Sequence, residues 1–168
     1  MQANPQEPTE LEVQPKAKRA SGLQPSLKGR ALRLLSLREH SRQELERKLK
    51  PFEQTPGELA EALDFLQAKD FINEQRVVES VVNTRSRKLG ASRVRQELQA
   101  KGLPTEAIQA AVQEMRSTEL ERAREVWRKK FGEPPADPVA RAKQIRFLLT
   151  RGFAAEVVKR VVAGADEL

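Results

Sequence analysis

The chain has no cysteine and no tyrosine, and only one histidine and one tryptophan. Without cysteine there is no disulfide, no zinc–thiolate site and no thiol chemistry. A single histidine, His40, cannot build a histidine metal cluster. Aromatic rings are few, six Phe and one Trp, which is too sparse for a platform that stacks nucleic-acid bases. The glycines lie singly at expected helix ends and form no phosphate-cradling loop. No window approaches the run of about 18 apolar residues that a membrane span needs, and the N-terminus lacks the apolar core of a secretory signal. The expectation is a cytoplasmic protein with no cofactor, no metal and no membrane partner.

What the chain does hold is helix formers: Leu, Ala, Glu, Gln, Lys and Arg dominate. Of its 168 residues 38% are hydrophobic, enough for a real core. The formal net charge is +7, from 31 basic against 24 acidic residues. Such an excess favours contact with nucleic acid, an anionic membrane or an acidic protein without choosing among them. The positive charge falls in separate blocks at 26–52, 72–117 and 118–160, whereas 53–71 is acidic and 1–25 is balanced.

Residues 1–25 carry four prolines and no sustained period, and are expected to be a disordered arm with one small basic cluster, KAKR, at Lys16–Arg19. From Ser26 the pattern is helical. Leu27, Ala31, Leu34 and Leu35 form one stripe. Ser41 followed by Glu44 reads as a capping box opening a second helix with Leu45 and Leu49 inward, and Pro51 ends it. A third helix follows, with Leu59, Leu63 and Leu66 on one face. The order then repeats. A long helix through Leu89 points Val78, Val81 and Val82 inward. Gly90 breaks it, Ser92 caps a helix carrying Val94 and Leu98, and Pro104 opens another with Ile108, Ala111, Val112 and Met115 buried. The last third gives three more. Leu49, Leu98 and Leu148 are 49 and 50 residues apart, and the pairs Lys101-Gly102 and Arg151-Gly152 are 50 apart. That period predicts an all-α protein: an elongated, curved tandem array of three three-helix repeats, at 26–71, 72–117 and 118–168. Neighbouring units are expected to share a core.

Nothing in the sequence reads as an active site. His40 is expected to be a local hydrogen-bonding residue at a helix junction. Glu44 is explained by capping, and Glu97 by pairing with Arg93 or Lys101 at i±4 spacing. Trp127, four residues before Phe131, reads as packing within or between units, with a contact beside a basic patch as the alternative. The stronger signal is RSRKLGASRVRQELQAKGLP, residues 85–104. Arg85, Arg87 and Lys88 close one helix, Arg93 and Arg95 lie on the next, and Lys101 ends it. A tight corner at Gly90 would bring these groups together. The theme recurs in unit one through Arg42 and Lys48, beside Arg38 and Arg47. In unit three it recurs through Lys129, Lys130, Lys143 and Arg146, beside Arg128 and Arg141. These residues form the expected binding surface for a filament or DNA. Side chains suited to base edges are absent from the second helices, so a charged surface of this kind would grip a backbone or an acidic protein, with strong salt dependence.

Three phrases, LREHSRQELERKL at 37–49, FINEQRVVESVVNTRSRKLGASRVRQELQAKGL at 71–103 and RFLLTRGFAAEVV at 146–158, resemble the RecX family of small bacterial regulators of the RecA recombinase. The resemblance covers residues 27–162. It implies a curved array of three three-helix units that binds RecA and the RecA filament on single-stranded DNA. Filament extension would be blocked, and recombinase, coprotease and ATPase activity lowered. The regulator would be a non-enzymatic, cofactor-free, monomeric protein with weak direct DNA contact. It also places the chain in homologous recombination, DNA repair and the SOS response. Two departures stand out: Gln75-Arg76-Val77-Val78, where the family commonly has an aromatic residue, and the ending Lys50–Phe52, expected to alter the angle between units one and two. Two other readings of the same residues stay open, a stand-alone basic helical DNA-binding protein and a scaffold for another acidic partner.

Overall fold

The computed structural model describes residues 24–164. All but the last two residues of the expected arm, its KAKR cluster and the final residues 165–168 lie outside the described part. Among the described residues there are nine α-helices and no strand: α1 (Leu27–Leu37), α2 (Arg42–Leu49), α3 (Glu58–Ala68), α4 (Glu74–Arg85), α5 (Ala91–Ala100), α6 (Thr105–Ser117), α7 (Glu119–Lys130), α8 (Pro138–Thr150) and α9 (Ala155–Val162), with a 3-10 turn at Lys50–Phe52. They pack as three triplets, α1–α3, α4–α6 and α7–α9.

Local chemistry sets the helix starts. Ser41 Oγ accepts from the Glu44 amide at 3.2 Å, and Glu44 Oε2 accepts from the Ser41 amide at 2.9 Å, so the capping box forms. Ser26, Asn73 and Asp137 cap α1, α4 and α8 in the same manner with one side-chain oxygen each. The expected cap at Ser92 does not form. α5 begins two residues earlier, after Gly90, and its Ala91 amide donates to Glu119 Oε1 at 2.8 Å. A carboxylate from α7, only 3% exposed, thus caps a helix of the preceding triplet. α4 ends at Arg85 rather than near Leu89; beyond it the chain tightens into a turn, in which the Lys88 amide donates to the Arg85 carbonyl three residues back at 2.9 Å.

Each triplet has its own apolar core. Leu27, Ala31, Leu45, Leu49, Leu63 and Leu66 are buried in the first, and Val77, Val78, Val94, Leu98, Ile108 and Val112 in the second. Ala123, Val126, Leu148, Phe153, Val158 and Val162 fill the third. The expected shared core is replaced by three local ones. Burying a Leu or Val side chain contributes about 1.5–3 kcal/mol, and each triplet buries its apolar stripe against its own helices. Val77, at the position where an aromatic was expected, is 1% exposed and fills the seam as an aliphatic. Trp127 packs on the third core, and its Nε1 donates to Gln144 Oε1 at 2.8 Å, which is the packing role.

The triplets are tied by polar side chains. Arg122 on α7 donates from Nη1 to the carbonyls of Ser86 and Leu89, both at 2.9 Å, and from Nη2 to that of Met115 at 2.7 Å. It supplies donors to carbonyls after α4 and near the end of α6 at once. Burial pushes its guanidinium pKa down while Glu119 pushes it up. We expect Arg122→Ala to cost about 2–3 kcal/mol, since partly buried carbonyls lose their donors. Arg122→Lys should restore little of it, because an ammonium lacks the planar fork that reaches three acceptors. Urea denaturation of the three proteins checks this, and full rescue by lysine would show that charge alone matters.

Candidate functional site

The second helices of successive triplets meet end to end. The C-terminus of α5 sits on the N-terminus of α2: Ser41 Oγ donates to the Lys101 carbonyl at 2.6 Å, and Arg47 Nη2 to that of Ala100 at 3.0 Å. The C-terminus of α8 sits on the N-terminus of α5: the Gly90 amide donates to the Arg151 carbonyl at 2.8 Å, and the Ser92 amide to that of Gly152 at 3.2 Å. In both joints a helix with its negative dipole end meets one with its positive end, and carbonyls unsatisfied in their own helix find donors in the next. Gly102 and Gly152 make the turn at each contact with φ of +69° and +87°, a region that favours glycine. Among the described residues no helix meets the C-terminus of α2 in this way, and it runs into the 3-10 turn instead. The first joint uses the opposite end of α2, so Lys50–Phe52 lie away from it.

The two joints differ in charge. At the first, Lys101 Nζ lies 2.8 Å from Glu44 Oε1, and Arg38 Nη2 lies 3.1 Å from the same oxygen. Burial opposes ionisation of Glu44, but the hydrogen bonds from Lys101, Arg38 and the Ser41 amide prevail and hold its pKa at about 2. Arg76 reaches Glu39 at 2.9 Å across the same joint, and Arg85 pairs with Glu97 at 3.0 Å. The cleft here, about 230 Å³, is lined by Arg38, Arg85 and Lys101 but also by Glu39 and Glu97. It is internally neutralised. At the second joint the residue in the place of Glu44 is Arg93, and that in the place of Lys101 is Arg151. Like charges now face one cleft of about 530 Å³, joined by Lys130, Lys143 and Arg146. Its floor contains Leu89, Phe131 and Phe147, the two rings meeting edge to face with centroids 5.3 Å apart. Arg151 lies over the Phe147 ring at 4.6 Å and Lys130 at 5.9 Å. Among the described residues no carboxylate lines this cleft.

The structure therefore gathers four of the candidate basic residues, Arg93, Lys130, Lys143 and Arg146, at the second joint, and two more, Arg85 and Lys101, at the first. It does not place Arg42 or Lys48 with either set. Arg42 pairs with Asp64 at 2.6 Å and with Glu46 at 3.2 Å. Lys48 Nζ lies 3.2 Å from His40 Nε2, while His40 Nδ1 lies 2.9 Å from the Arg38 carbonyl. That carbonyl can only accept, so Nδ1 carries the proton and Nε2 accepts from the ammonium. His40 is 2% exposed, and burial lowers its pKa. It is the local hydrogen-bonding residue expected. Arg87 and Lys88 are exposed in the turn after α4 and Lys129 near the end of α7, and Arg95 is half-buried on α5 beside Gln99 and Leu103. The expected i±4 partners of Glu97 are not used; it reaches Arg85, 12 residues away. Sequence reasoning passed over Arg151, although the repeat aligns it with Lys101, which was chosen. Among the described residues no group of three or more His, Asp or Glu could hold a metal, and no helix is long and apolar enough to cross a membrane.

Three triplets with separate cores, chained by one kind of joint, define an all-helical tandem-repeat protein. Family models described as the first, second and third three-helix domains of RecX match residues 28–66, 73–112 and 117–162. The chain is 52% identical over 141 residues to the regulatory protein RecX of Leptothrix cholodnii, spanning 84% of this chain and 90% of that one. It is 46% identical over 143 residues to that of Ralstonia pickettii, spanning 85% and 90%. The crystal structure of RecX from Lactobacillus salivarius superposes with a TM-score of 0.68 at 22% identity, over 83% of this chain and 94% of that one, a likeness of fold. The chain belongs to the RecX family of regulatory proteins.

Proposed function

We propose that this protein binds RecA and the RecA filament on single-stranded DNA, and that it blocks filament extension with consequent loss of recombinase, coprotease and ATPase activity. It acts in the cytoplasm as a monomer and catalyses no reaction. The observation that carries this reading is the recurrence of one joint along the chain. A binder made of repeated units suits a ligand made of repeated subunits, and several weak contacts gain through effective concentration. The basic residues at the second joint, with the exposed Arg87, Lys88 and Lys129 and the half-buried Arg95, supply the cationic contacts.

The test is the ATP hydrolysis rate of the cognate RecA on single-stranded DNA with this protein added below one per RecA, alongside its binding to bare DNA in the same salt. The expected result is inhibition at concentrations that leave bare DNA largely unbound. Inhibition only once the DNA is saturated would make the protein a competitor for the strand and would replace this reading with the stand-alone DNA-binding one.

A further inference from the structure

The charge swap between the joints assigns them different jobs. We propose that the cleft at the joint of α5 and α8 is the place where this protein grips the phosphodiester backbone of a single nucleic-acid strand, while the joint of α2 and α5 is purely structural. This deepens the filament reading, on which it rests for its setting.

Glu44–Lys101 and Arg93–Arg151 occupy corresponding positions. The first pair is closed at 2.8 Å, whereas the second places two cations in the lining of one cleft. With Lys130, Lys143 and Arg146, five positive groups from two triplets face a cleft of about 530 Å³, and no carboxylate of the described residues lines it. Lys143 and Arg146 make no side-chain hydrogen bond or ion pair among the described residues, and Arg93 makes only a 3.4 Å contact with Gln96. Close like charges oppose folding unless an anion joins them. A phosphodiester chain presents one charge per nucleotide along a continuous line, a density that peptide carboxylates rarely match, and guanidinium forks suit its oxygens. The cleft has room for a nucleotide or two, not a duplex. Two of the cations lie over Phe147, so contact is with backbone and the grip is indifferent to sequence.

The experiment is fluorescence anisotropy of a labelled single-stranded oligothymidylate with the full chain and no RecA, across a salt series. We compare Arg93→Gln/Lys143→Gln/Arg146→Gln with Lys28→Gln/Arg33→Gln/Lys69→Gln, which removes as much charge from the first triplet. The cleft variant should bind about tenfold more weakly or worse, with a salt slope smaller by about 2, since each single-strand phosphate contact contributes about 0.7. The control should lose about twofold or less. Equal losses would reduce the effect to net charge and overturn the proposal. So would unchanged oligothymidylate binding with lost RecA inhibition, which would make the cleft a reader of acidic protein. Should the triple variant unfold by circular dichroism, Lys143→Gln alone, whose side chain holds no partner among the described residues, must still weaken strand binding more than Arg33→Gln. Normal strand binding dependent on the cleft, in a protein that never inhibits RecA, would instead sink the filament reading and leave this one standing.

Discussion

Gly90→Ala should lower the stability of the third triplet by about 3 kcal/mol, shifting its Tm by roughly 10 °C. Gly90 has φ of −77°, an ordinary value for any residue, so backbone strain is not the reason for glycine. Space is. A Cβ there would overlap the carbonyl carbon and oxygen of Gly152 and the amide nitrogen of Phe153, all main-chain atoms that cannot swing aside. The joint would have to open, loosening the bonds from Gly90 to Arg151, from Ser92 to Gly152 and from Ala91 to Glu119. Gly102→Ala makes the contrast. Its φ of +69° imposes strain of about 1 kcal/mol, but the atoms a Cβ would meet belong to the Gln43 side chain, which can move. Trp127, the sole tryptophan, lies in the third triplet and reports on it alone, whereas far-ultraviolet circular dichroism reports on every helix. In Gly90→Ala the Trp127 transition should precede the dichroism transition, because tandem units lose cooperativity when their interface weakens. Coincident transitions, or a smaller shift than Gly102→Ala gives, would show that the joint absorbs the methyl group.

The contrast also explains which parts of the molecule could be read from sequence. Stripes such as Leu59, Leu63 and Leu66, and the Ser41–Glu44 box, depend on residues three or four apart, and local geometry reproduces them. Residue types at a fixed period gave the three triplets. What stayed hidden depends on residues brought together by docking. Glu119 caps α5 from 28 residues away, so Ser92 looked like the better cap. Arg85 takes Glu97 across a helix pair because α4 and α5 pack on each other, and i±4 spacing cannot anticipate that. A shared core was expected because short helix triplets look too small to bury their own faces, yet the joints are made of carbonyls, amides and charged side chains. The basic cluster was legible as a cluster. Its division into a neutralised joint and a cationic one was not, since it depends on Glu44 meeting Lys101 from 57 residues away.

That ion pair carries the second large effect. The Glu44 carboxyl falls from an ordinary 4.5 to about 2 in the folded protein, so the folded state holds its proton less tightly than the unfolded state does. A depressed carboxyl contributes stability that is fully present above the unfolded value and is lost as pH falls through the folded one. The window therefore runs from about 4.5 down to about 2, and the shift corresponds to about 3 kcal/mol at neutral pH. Glu44 and Lys101 side chains are 12% and 14% exposed, so solvent screens little of this. Glu44→Gln keeps the shape and a carbonyl acceptor, but leaves Lys101 largely buried without a counter-charge. At pH 7 the variant should be less stable than the wild type by about 3 kcal/mol, and the two stability curves should converge as pH approaches 2. His40 adds a separate fall at higher pH in both proteins: its pKa is lowered by burial, so the unfolded state takes up that proton first as pH drops below 6.5. The Glu44 charge partly raises that pKa, so Glu44→Gln lowers it further and the difference between the curves should widen slightly there. Urea titrations at a series of pH values measure both curves. Parallel curves down to pH 2 would mean that the Glu44 charge does not hold the first joint closed.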